Sequence, residues 1–142
     1  MRSTLLLTIG LCALAGCAGQ RPLYRVERDG DYNLQTEQFA NASKDFGEYV
    51  ERKPDNVEVR YKLAKALVNS GHPREALEHL SVCTDVEPLS DRYLDLQSQA
   101  LFDAGEREEL VSILSRAASE RGRVTDFLRL GVYSQRLGNL DE

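Results

Sequence analysis

Three kinds of side chain in this sequence have the chemistry to act: thiols, imidazoles beside carboxylates, and a row of hydroxyls. The thiols are Cys12, Cys17 and Cys83. A thiol is a nucleophile only as its thiolate. Cys83 falls among apolar residues at helical spacing, where a single cysteine reads as a small core side chain. His72 and His79 stand near Glu75 and Glu78. As a site they would bind metal or move protons, but their places fit a turn histidine and a solvent-facing helix residue better. Glu106, Glu108 and Glu109 with Arg107 read as the charged start of a helix, favoured by its dipole. Ser112, Ser115 and Ser119 share a helix without a His/Asp relay. There is no glycine-rich phosphate loop and no cysteine pair at metal spacing. The expectation is a chain that is not an enzyme, with no catalytic residue, metal, cofactor or small-molecule substrate.

Cys17 differs from the other thiols because of what precedes it. Arg2 is the only charge before Arg21, and Leu5 to Ala15 is almost wholly apolar. A basic start, a short apolar core and small residues near a cleavage point make a secretory signal peptide. The run is shorter than the roughly 20 residues a spanning helix needs. Leu14-Ala15-Gly16-Cys17 resembles the lipobox of bacterial lipoproteins. That resemblance implies a signal peptide over residues 1–16, cleavage before Cys17, and a lipid on its sulfur. Ala18, a residue other than Asp after the cysteine, implies sorting to the outer membrane, facing the periplasm.

Composition limits the partners. The formal charge is −5, with 18 basic against 23 acidic residues; without Arg2 it becomes 17 against 23, or −6. Nucleic-acid binding relies on clustered Lys and Arg, so no nucleic-acid partner is expected, and the overall charge gains nothing from an anionic lipid surface. The length fits one domain.

The elements that position these residues repeat. Shifting Val57–Ser90 by 34 residues onto Asp91–Val124 pairs Leu67 with Leu101, Gly71 with Gly105, Leu80 with Leu114 and Cys83 with Ala117. Shifting back by 34 pairs Ala76 with Ala42, Leu80 with Phe46 and Pro88 with Pro54. Leu63, Ala64, Leu67 and Val68 form one helical stripe, and Ala76, Leu77, Leu80 and Cys83 another. Asn69-Ser70-Gly71-His72-Pro73 is a helix stop and restart. Glu87 to Asp91 repeats that punctuation, with Ser90 or Asp91 as N-cap. Six helices are predicted: 36–52, 57–70, 73–86, 91–104, 107–121 and 124–137. Residues 17–35 read as a lipidated cysteine and polar tether, with Leu23–Val26 the part able to pack against the helices.

This pattern resembles the tetratricopeptide repeat. Leu63, Ala64, Leu67, Gly71, Ala76, Leu80, Cys83 and Pro88 take that family's slots, while Arg60 stands at its Trp slot. The resemblance implies an all-α fold, a right-handed superhelix of antiparallel helix pairs. Residues 36–142 would form the helical domain: a single helix over 36–52 in a helix B position, repeats over 57–90 and 91–124, and a partial repeat over 124–142. The final helix has one residue deleted from the spacing and apolar groups around much of it. It reads either as the terminal cap that repeat arrays require or as part of a longer array; in the second case it is expected to be mobile or to pair with another chain. The family binds partners on a concave face lined by first helices, which here means Tyr61, Lys65, Val68, Asp95, Gln99 and Phe102, with Leu128 and Val132 continuing the face. The Lys/Asn clamp of some relatives is not reproduced, because Tyr61 and Lys65 fill its slots.

The function expected from both resemblances is a lipid-anchored interaction scaffold in the bacterial cell envelope, gripping a protein or peptide and held to a membrane through Cys17. Relatives with this layout assist pilus or secretion-system assembly. The alternative is a helper fragment of a larger envelope protein or enzyme. The residues leave the oligomeric state open.

Overall fold

Helix starts recur every 34 residues through three successive hairpins of this chain. The computed structural model describes residues 20–138, so the apolar leader and Cys17 lie outside the described residues. The first helices of successive hairpins are α1 (Leu23–Gln35), α3 (Val57–Asn69) and α5 (Asp91–Ala104). The second helices are α2 (Phe39–Arg52), α4 (Pro73–Val86) and α6 (Arg107–Arg121), and α7 (Val124–Gly138) opens a further unit. Among the described residues there is no strand, and no helix is long and apolar enough to cross a membrane.

The same small device turns each hairpin. Backbone amides of Gln38, His72 and Glu106 donate to the carbonyls of Asn33, Leu67 and Leu101 at 2.8, 2.9 and 2.9 Å. This bond closes a helix through a residue in the left-handed region. Gly71 and Gly105 supply that residue with φ of 83° and 78°, and Glu37 does so with φ of 58°. Between hairpins the devices differ. Asn56 caps α3 by accepting from the Val59 amide at 3.1 Å. Ser90 occupies the N-cap position of α5 without a side-chain bond. Pro73 stands in the first turn of α4, where its missing N–H leaves nothing unpaired.

The core lies where the two helices of a hairpin cross. Three slots recur there: Gly30, Ala64 and Ser98; Ala42, Ala76 and Leu110; Phe46, Leu80 and Leu114, all buried. Small residues let backbones approach, so Leu110 in place of Ala76 acts as a wedge. The α5 and α6 backbones accordingly stay close over a shorter stretch than those of α3 and α4. Leu77 packs against both core clusters and joins them.

Two differences from the sequence reading stand out. The segment read as a polar tether is helical from Leu23 onward, and α1 supplies the missing first helix for α2. The helix predicted over 36–52 begins at Phe39, because Thr36–Gln38 form the turn that closes α1. The other five predicted helices begin at the expected residues and end within one residue of the expected positions.

Candidate functional site: the face of the first helices

Ion pairs tie each first helix to the next across this face. Lys62 of α3 reaches back to Asp31 at 2.9 Å and Glu27 at 3.2 Å on α1. Arg92 of α5 grips Glu58 of α3 in a two-pronged bond, at 2.9 and 3.1 Å. Arg129 of α7 meets Asp95 of α5 at 2.5 Å. Glu58 and Arg92 are 34 residues apart, as are Asp95 and Arg129. The hydrogen bonds from Arg92 hold the Glu58 carboxyl below the usual carboxylate range. Burial works against the charge on Lys62, yet its bonds to Asp31 and Glu27 carry its pKa above the ordinary lysine value.

Aromatic rings fill the spaces between these pairs. Tyr61 and Tyr93 lie 5.5 Å apart, tilted, with the Arg92 guanidinium 4.0 Å above the Tyr61 ring. Phe102 and Tyr133 lie 5.7 Å apart, with Arg136 at 4.1 Å over Phe102. A guanidinium over an aromatic face is attracted by the ring quadrupole and still offers its N–H edge outward. Burial raises the Tyr133 hydroxyl above the ordinary tyrosine pKa.

The expected groove residues therefore divide into three groups. Lys65 and Gln99 are exposed and make no side-chain hydrogen bond among the described residues. Tyr61, Asp95 and Phe102 reach the face but are engaged by Arg92, Arg129 and Arg136. Val68 does not line an open groove: it is 5% exposed and shares a core cluster with Leu96 and Ala100 of α5. Leu128 and Val132 are exposed on α7 at 62% and 54%. The arginine–aromatic stacks were missed by sequence reading. Their signal is an arginine beside Tyr93 and another, Arg136, placed 34 residues after Phe102, which is faint without coordinates.

Away from this face, the histidines take separate roles. The Nδ1 of His79 lies 3.2 Å from the Arg60 guanidinium. Burial, then the Arg60 charge, lower its pKa, which favours the neutral ring that can accept that bond. His72 is exposed and pairs with the Ser70 hydroxyl at 3.2 Å. Cys83 is buried, its Sγ 3.4 Å from the His79 carbonyl, and burial pushes its thiol pKa up. Among the described residues no three His, Cys, Asp or Glu side chains cluster to hold a metal. A cavity of about 280 Å³ lies on the flank of α5 that faces α4 and α6, lined by Thr84, Leu89, Gln97, Ile113 and Arg116 among others. Neither Lys65 nor Gln99 lines it.

A protein-family model described as tetratricopeptide repeat matches residues 33–100. No curated protein matches the chain in sequence. Solved structures match in fold. The chain is similar to MamA, with 22% identity and a TM-score of 0.67 over 84% of this chain, and it spans 66% of the MamA chain. It is similar to the Sgt2 tetratricopeptide domain from Aspergillus fumigatus, with 15% identity, a TM-score of 0.65, and 87% of each chain covered. It is also similar to the first such domain of Spaghetti (RPAP3), solved bound to the HSP90 peptide SRMEEVD, with 14% identity, a TM-score of 0.66, and 82% and 93% of the two chains covered.

Proposed function

We propose that this tetratricopeptide solenoid is a protein-interaction scaffold, fixed in the bacterial cell envelope by a lipid on Cys17, that holds a partner's peptide or helix against its first helices. The observation that carries this reading is the face itself. Ion pairs join α1, α3, α5 and α7 across this face, and side chains already held in place lower the ordering cost of binding. Lys65 and Gln99 stay free on it, flanked by the arginine-capped rings of Tyr61 and Phe102. Similar domains solved with bound peptides support the binding class. The anchor rests on the lipobox-like Leu14-Ala15-Gly16-Cys17. A role in pilus or secretion-system assembly belongs to the same proposal and rests on the layout alone.

The test uses a photoreactive residue placed at Lys65 or Gln99 in the native envelope. A discrete crosslinked partner is expected from both positions, and none from Ser112 on the outer side of α6. Equal crosslinking from Ser112, or recovery of the bait alone from all three, would reject the scaffold. Intact mass of the native protein checks the anchor separately.

A further inference from the structure

The solvent face of α1 carries an unusual set of side chains for an acidic protein. Tyr24, Arg25, Arg28, Tyr32 and Gln35 are all exposed, and their spacing places them on one arc of the helix. Tyr24 and Tyr32 are 64% and 62% exposed. No carboxylate shares that arc. Glu27 and Asp31 turn away toward Lys62 on α3. Asp29 sits at the edge, 2.9 Å from Arg28 and 3.6 Å from Arg21. Arg21 in turn occupies Asp45 and Glu48 of α2, so the acids nearest to this face are already paired.

We infer that this face of α1 lies on the anionic headgroup layer of the membrane that holds Cys17, with Tyr24 and Tyr32 at the interface and Arg25 and Arg28 on phosphates. The inference rests on the acylation reading above and adds an orientation to it. Two observations choose the occupant. The first is charge. Arginine stems lie along apolar surface while their heads reach phosphate, and tyrosine rings favour the membrane–water boundary. The rest of the protein is acidic, but charges beyond about 10 Å are largely screened at 0.1 M salt. A local patch whose flanking carboxylates, Glu27, Asp29 and Asp31, are each held by a cation can therefore face an anionic surface that the net charge of −5 opposes. The second is reach. Leu23 comes six residue steps after Cys17, a span of at most about 20 Å. An acyl chain at Cys17 keeps α1 beside the headgroups whatever the rest of the solenoid does, and the tether makes even weak surface contacts effective.

The orientation has a mechanical consequence. With α1 flat on the membrane, the solenoid rises from it and its later helices stand furthest out, where a partner's segment can reach them.

The experiment uses the full-length protein. Intact mass first reports whether Cys17 is acylated. The acylated protein is placed in phosphatidylcholine vesicles with or without phosphatidylglycerol, and tyrosine acetylation is followed residue by residue by mass spectrometry. Tyr24 and Tyr32 should react about tenfold more slowly on the anionic vesicles, while half-buried Tyr49 on α2 reacts equally on both. The double variant Arg25→Glu/Arg28→Glu, with helicity checked by circular dichroism, should lose the difference. Equal rates at Tyr24 and Tyr32 on both vesicles overturn the inference, and so does protection that survives the charge reversal, which would mark a protein covering α1 instead. If the mass shows no acyl adduct, the anchor reading fails on its own. The inference is then judged by flotation of the unmodified chain with anionic vesicles at low salt, expected for the native sequence and lost in the double variant; absence of flotation overturns it.

Discussion

Glu37 sits in a backbone conformation that its two counterparts reserve for glycine. Its φ of 58° matches the 83° of Gly71 and 78° of Gly105, one and two repeats later. A Cβ in the left-handed region costs about 1 kcal/mol or more. The Glu37 side chain is exposed and offers nothing that offsets this. Glu37→Gly is therefore expected to stabilise the protein by roughly 0.5–1 kcal/mol, after the added freedom of the unfolded chain is subtracted. A melting temperature raised by a few degrees would show it; an unchanged or lower value would show that Glu37 makes a contact worth keeping. Leu89 shares the positive φ, also 58°, but its side chain packs against the core around Leu94 and Leu101, so the same replacement there loses packing. Glu37 also explains a gap in what the sequence reveals. The turns at Gly71 and Gly105 are legible because glycine marks them, whereas the first turn, Thr36-Glu37-Gln38, has no glycine or proline.

At the scale of the element, α1 and α2 show how a helix can be concealed. Helix α1 has only Leu23, Val26 and Leu34 as aliphatic residues, and a glycine at its centre, so its pattern reads as a tether. Gly30 is in fact the small slot of this hairpin, equivalent to Ala64 and Ser98. It is glycine because its partner is larger: Phe46 stands where the later repeats have Leu80 and Leu114. A Cβ added at Gly30 would lie 2.7 Å from the Phe46 ring. Gly30→Ala should thus lose about 1 kcal/mol, overpacking of 1–3 kcal/mol being partly offset by roughly 1 kcal/mol of helix propensity. Phe46→Leu alone should also lose about 1 kcal/mol through the space it leaves. Together they recreate the Ala64–Leu80 pair, and the double variant should be at least about 1 kcal/mol more stable than additivity allows. Urea midpoints of the four proteins decide this; strict additivity would mean the two sites do not share a volume. The face of the first helices was legible to the same partial degree. Helical register places Val68 and Phe102 on the arc of Lys65 and Gln99, but that arc also meets the next first helix. Val68 is consumed by α5 and Phe102 by Tyr133 of α7, a division that depends on how far consecutive hairpins rotate and that no single repeat encodes.

For the molecule as a whole, stacking makes stability local. Each hairpin touches only its neighbours, so a solenoid's free energy is close to a sum of units and nearest-neighbour interfaces. The α7 end is where this matters most. Its inner side packs on α6, while Phe127 is 56% exposed and, with Leu128 and Val132, faces solvent. What fastens it is Asp126, fully buried, with Arg129 and Arg121 at 3.0 Å and Arg123 at 3.5 Å. Asp91 joins Arg121 and Arg123 from α5, and Asp95 joins Arg129. Asp126→Ala would leave three guanidiniums around an empty centre. Breaking a buried pair costs about 3–5 kcal/mol; Asp91 and Asp95 remain and Arg123 is half exposed, so about 2 kcal/mol is the fitting expectation. That loss should fall on α7 alone. Amide hydrogen exchange in α7 should quicken by more than about tenfold, while α1 to α4 keep their protection. Uniform quickening along the chain would instead mean that the stack melts as one unit. In the local case α7 would open without the rest, carrying Leu128 and Val132 away from the proposed binding face and leaving Lys65 and Gln99 in place. A partner's dependence on Asp126 would then measure how far along the solenoid its segment extends.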